Sequence, residues 1–159
     1  MIDLSKLNDT DLISLRANIE REMRTRKISF SVGEVGELVA IKYFNSTPGL
    51  SNLKAAPPGT KNVDALSRNG DRYSIKTIQR AKKTGTIYPD VQNADHQLFE
   101  YLLIVNLAED FSLEKLYQFS WEQFLKIHAW YIRMNAWYVP VSRSRLKMGQ
   151  CLYSKVAES

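Results

Sequence analysis

The chain has 159 residues, with 22 Lys or Arg against 17 Asp or Glu, a formal charge of +5 and a sequence pI of about 9.3. A single domain of this length buries about 68–70% of its unfolded surface, so it needs no staple to hold a core. Cys151 is the lone cysteine, which excludes an internal disulfide framework and a Cys-cluster zinc site.

No apolar run approaches the roughly 18 residues of a membrane span, and Met1 to Leu7 lacks a secretory signature. A reducing cytoplasm is the expected setting. The mild positive surplus permits a nucleic acid or an acidic surface as partner without demanding one.

Leu12, Leu15, Ile19 and Met23 recur at helical spacing and predict an amphipathic helix over about Asp9 to Lys27, capped by Asn8 or Asp9. Its basic end, Arg21 to Lys27, suits the negative end of the helix dipole. A second helix is expected from Ser29 or Phe30 to Phe44, with Pro48-Gly49 as a breaker beyond it. Strands follow near Leu50–Ala55, Val63–Ser67 and Arg72–Ile78, the last two joined around Asn69-Gly70, a hairpin signal. Arg80 to Asp95 is polar and reads as a long surface loop. Tyr101–Leu107 reads as a central strand buried on both faces, and Leu113–Phe119 as another strand. Ser120 and Gln123 form a capping box for a helix carrying Trp121, Phe124, Leu125 and His128. The tail from Asn135 to Ser159 is mixed, with Tyr138–Val141 strand-like. The order gives an α/β chain, a mixed sheet flanked by two amino-terminal helices and a later one.

On a wheel of about 100° per residue, Phe30, Gly33, Glu37, Ala40, Ile41 and Phe44 share one face of the second helix. An acid inside an apolar face is costly unless paired, hydrogen-bonded or bound to a cation. Gly33 and Gly36 weaken the helix and suggest a close neighbour there. Ser74 and Lys76 lie two residues apart and share a strand face. An odd hairpin register, with Gly70 in a left-handed bulge position, pairs Asp64 with Ser74 and puts all three on that face. Asp64 with Glu37 could then hold Mg²⁺, Mn²⁺ substituting for it, while Lys76 orients an attacking water.

Gly33-Glu34-Val35-Gly36-Glu37 on a helix, then Gly59 to Asp64, the turn, and Tyr73-Ser74-Ile75-Lys76 resemble the PD-(D/E)xK nuclease superfamily over about residues 29–119. The resemblance implies a restriction-endonuclease-like fold and a Mg²⁺-dependent endonuclease acting on DNA, of restriction type among the roles that fit. Asp64 is then the metal-binding aspartate, Lys76 the signature lysine and Glu37 the additional helix glutamate. Val63 replaces the signature proline. Ser74 stands where relatives carry an acid, so it contributes at most a hydroxyl to catalysis, with Glu37 or Glu34 making up the charge.

Simpler readings stand beside this one: an Asp64–Lys76 surface salt bridge, or Glu37 paired with Arg16. Arg80, Lys82 and Lys83, and the cluster Arg143, Arg145 and Lys147, are candidate phosphate contacts or solvated charges. A twofold homodimer would match antiparallel DNA strands. The alternatives are a catalytically inactive nucleic-acid-binding module on the same fold, or a protein-interaction subunit docking through its aromatic last third.

Overall fold

A computed structural model of the chain describes residues 2–155; Met1 and residues 156–159 of the tail lie outside the described residues. The chain forms two compact units, Met1–Ser31 and Val32–Ser159.

The first unit holds a 3-10 turn, Leu4–Lys6, and helix α1, Asp9–Thr25. Asn8 caps α1 by accepting from the Asp11 N–H at 2.8 Å, and Asp9 and Asp11 sit in its first turn, where negative charge suits the dipole. Two i,i+4 ion pairs, Arg16–Glu20 and Arg26–Glu22, take up part of its charge. Arg16, the alternative partner for Glu37, is thus engaged with Glu20. No residue of α1 is buried.

The second unit begins with α2, Val32–Ser46. Strands β1, Leu53–Ala55, β2, Ala65–Ser67, β3, Arg72–Ile78, β4, Tyr101–Leu107, and β5, Leu113–Ser120, follow. Helix α3, Trp121–Ile127, opens on the expected capping box of Ser120 and Gln123. After it come β6, Ala129–Tyr131, a 3-10 turn, β7, Ala136–Tyr138, a short α4, Arg143–Leu146, and β8, Gln150–Ser154. The main sheet runs β1-β2-β3-β4-β5-β8, while β6 and β7 make a separate ribbon. Among the described residues only β3 and β4 pair in parallel; the other neighbouring pairs of the sheet are antiparallel. Among the described residues no helix is long and apolar enough to cross a membrane.

β4 is enclosed except at Tyr101 and Asn106, which are partly exposed, and its residues alternate between two apolar layers. Leu103, Val105 and Leu107 pack with Ala40 and Phe44 of α2, whereas Leu102 and Ile104 pack with Phe124 and Ile127 of α3. Three departures from the sequence reading stand out. Phe30 precedes α2 and is exposed, because the helix starts at Val32. The α2 face that is buried is Gly36, Ala40 and Phe44, leaving Glu37 half-buried at its border. The stretch read as a surface loop is half an extended segment. Ile87 exchanges hydrogen bonds with Trp137 in both directions, and Thr84 and Ile87 are buried.

Candidate functional site

The hairpin sets the register. Ser67 N–H donates to Asp71 O, and Gly70 closes the turn at φ +84°, a conformation glycine adopts without strain. Ala65 faces Tyr73 and Leu66 faces Arg72, which, continued, sets Asp64 opposite Ser74. The odd register is therefore present, but the ladder breaks at its last rung. Asp64 N–H donates to Tyr73 O at 2.8 Å, one residue short of Ser74. Its carboxylate Oδ2 instead accepts from Ile75 N–H at 2.7 Å, so the side chain stands in for the missing strand. Strand N–H groups lie in the sheet plane, so this carboxylate sits at the sheet edge rather than on the Ser74 face. From Ile75 onward that edge of β3 has no β2 residue beside it, and side chains from either face can reach round it.

Glu37 arrives there from α2. Helix and sheet approach so closely that a Cβ on Gly36 would lie 1.8 Å from Thr77 Oγ1, with nothing comparable at Gly33. The expected close neighbour is therefore present at Gly36 and absent at Gly33. Burial, the charge of Asp64 and that of Glu34 push the Glu37 carboxyl up from 4.5 to about 7, Lys76 opposing them, and Glu37 and Asp64 are near enough to share a hydrogen bond. Two carboxyl groups share a bond only if one carries a proton. Lys76 extends to the same place. Its amine donates to Thr86 O at 2.9 Å; burial lowers its pKa while the charges of Asp64 and Glu37 raise it. Among the described residues no ion pair within 4.0 Å joins this amine to either acid, so the salt bridge read as the simpler alternative is not formed.

Ser74 is buried, 2% exposed, opposite Leu102 of β4, and Glu34 is exposed. The candidate cations are engaged in different ways, although Val141 N–H donates to Lys82 O and Lys83 bridges Pro140, which brings the first group beside the segment leading into the second. Arg80 pairs with Glu109, Lys83 lies over the Tyr131 and Tyr138 rings, and Arg145 donates to the carbonyl of Ile127, the last residue of α3. Arg143, Lys147 and Lys82 are exposed. His96 lines a cavity of about 400 Å³ with Lys61 and Arg72, apart from the acid pair, and His128 packs its ring against Phe124 and Trp137.

Two carboxyl groups whose charges oppose one another at close range suit a cation. Mg²⁺ is commonly bound by one or two carboxylates, keeping waters and phosphate oxygens for its other positions. Among the described residues no group of three or more His, Cys, Asp or Glu could hold a metal ion, so an all-protein cage does not fit, and any ion held here would rest on the two acids and on waters or substrate oxygens. Two features had no sequence signal: the Thr86 carbonyl, a main-chain atom, and Thr77, whose hydroxyl is buried without a hydrogen-bond partner.

The raised Glu37 pKa sets a direction for stability. Between about pH 4.5 and 7 the folded protein keeps a proton that the unfolded chain releases, so stability falls as pH rises through that window and levels off above it. Glu37→Gln removes the titration. Thermal melts of the two proteins across this range should diverge, the wild type losing more; parallel curves would contradict the shared proton. Comparison of the chain with protein-family models and with curated proteins found no match.

Proposed function

We propose that this protein is a Mg²⁺-dependent endonuclease on DNA, built on a restriction-endonuclease-like fold. The observation that carries the reading is the meeting of Glu37, Asp64 and Lys76 at the open edge of β3. The order of helix, hairpin and parallel strand around that edge supports the fold assignment. Glu37 and Asp64 would hold the ion, which when bound lowers the pKa of a water and polarises the phosphate. Lys76, its amine fixed by Thr86 O, would orient the water and face the charge developing on phosphate oxygens. The water oxygen adds to phosphorus and gives up a proton to solvent, the ester P–O bond breaks, and the leaving oxygen takes up a proton from solvent. Asp64 is held for this role by Ile75 N–H, which fixes one oxygen and leaves the other available.

A second reading, a nucleic-acid-binding module without activity, is favoured by Ser74, which puts a buried neutral hydroxyl where the resemblance implies an acid. Conversion of supercoiled plasmid to nicked or linear form in Mg²⁺ or Mn²⁺, suppressed by EDTA, supports the enzyme. Salt-sensitive DNA binding with no cleavage under either metal supports the module.

A further inference from the structure

We propose that the β6–β7 ribbon is the element that enters a groove of duplex DNA, led by Ile132, Arg133 and Met134 at its tip. Two observations on the ribbon itself point to a polyanion, and a third links the ribbon to the site.

The first is charge. Residues 1–122 hold sixteen acids and sixteen Lys or Arg, whereas residues 123–157 hold six Lys or Arg and no acid. The entire positive surplus belongs to the last part of the chain. Lys126 closes α3 just before the ribbon, Arg133 is in its tip, and Arg145 is tied to the Ile127 carbonyl at its base.

The second is shape. The ribbon lies outside the six-stranded sheet. Ala129 pairs with Tyr138 and Tyr131 with Ala136, leaving a turn closed by Asn135 at φ +47°. That turn exposes Ile132 at 79% and Met134 at 45%, with Trp130 at 47% beside it. A two-stranded ribbon fits the DNA major groove, about 12 Å wide. In that groove apolar side chains can meet thymine methyl groups while the adjacent cation meets phosphate.

The third is linkage to the site. Trp137 of β7 exchanges hydrogen bonds with Ile87, the neighbour of Thr86, whose carbonyl holds the Lys76 amine. Lys83 of the same segment lies 4.8 Å from the Tyr131 ring centroid. The ribbon and the site lysine thus share one stretch of backbone, and a duplex gripped by the first is held by the body that carries the second. In this respect the inference rests on the nuclease reading, although its test does not.

The test is fluorescence anisotropy of a labelled mixed-sequence duplex in EDTA, where no turnover occurs, with wild type, Arg133→Ala and the double variant Ile132→Ser, Met134→Ser. All three positions are exposed, and a melt of each variant checks that the fold is kept. Each variant should weaken binding roughly tenfold or more, the size of lost base contacts, and Arg133→Glu should weaken it further. Unchanged affinity in the double variant and in Arg133→Glu would overturn the inference, as would tip-dependent binding to phosphatidylserine vesicles with none to the duplex. Tip-dependent binding in a protein that never cleaves would sustain the inference and end the nuclease reading. Cleavage with a tip that can be changed without effect on affinity would do the reverse.

Discussion

Lys76→Ala should reduce Mg²⁺-dependent plasmid cleavage by about 10²–10⁴, the range for a positioned proton-transfer or charge-stabilising group. Asp64→Asn should do at least as much, and the two variants separate chemistry from folding. The Asn amide oxygen can still accept from Ile75 N–H, the bond Asp64 makes at 2.7 Å, so its melting temperature should stay near wild type. Asp64→Ala removes the acceptor as well, leaving a strand N–H unpaired at about 1–3 kcal/mol, and should lose both activity and stability. Cleavage rates and melts on the same three proteins give the answer. Full activity in Lys76→Ala would remove the lysine from the mechanism.

Gly36→Ala should destabilise the protein although alanine is the better helix former. In an open helix the change gains about 1 kcal/mol. Here the added carbon would lie 1.8 Å from Thr77 Oγ1, 2.5 Å from its Cγ2 and 2.6 Å from its Cβ, so α2 must lift from β3. Overpacking of this kind costs about 1–3 kcal/mol or more, and the contact is severe enough to place it at the upper end. The expected net loss is about 2 kcal/mol, a fall in melting temperature of about 4–8 °C for a unit of this size. Thr77→Ala in the same chain removes the two nearest atoms but not the third, and should restore part of the loss. Because lifting α2 also withdraws Glu37, cleavage should fall more than the melt alone explains. A melting temperature equal to or above wild type would show that helix and strand do not approach as described.

The parts of this arrangement that were legible in the sequence are those fixed by local chemistry. β3 and β4 lie where β-branched and aromatic runs place them, and Ser120 with Gln123 forms its capping box because both partners lie within one turn. Asn69-Gly70 gave the odd register because glycine takes the left-handed turn position. What was illegible depends on distant partners. Thr84 and Ile87 sit in a polar stretch, and only their bonds to Val139 and Trp137 reveal an extended, buried segment. β8 has an exposed, weakly alternating pattern and exists by pairing with β5.

At the site, Glu37, Asp64 and Lys76 lie close enough to act on one another's charge, but Asp64 is not placed as a regular hairpin would place it. Placing Asp64 on the Ser74 face assumed a regular ladder, whereas its N–H bonds Tyr73 and its carboxylate turns into the sheet edge. Ser74 is covered by the core instead of facing the acids' edge. Of the two basic groups read as phosphate contacts or solvated charges, Arg80 pairs with an acid, Lys83 with two aromatic rings and Arg145 with a helix-end carbonyl, while the pairing of Lys82 with Val141, invisible in the sequence, brings the groups beside each other.

The most direct measurement follows the Glu37 side-chain carboxyl carbon by NMR through a pH titration, with and without Mg²⁺. Without the ion the midpoint should lie near 7, held there by burial and by Asp64. With Mg²⁺ present it should fall well below that, as the cation displaces the shared proton, and Asp64→Asn should weaken the response. A midpoint near 4.5 that ignores the ion would mean that the two acids do not meet, and the proposed cutting site would have no metal to work with.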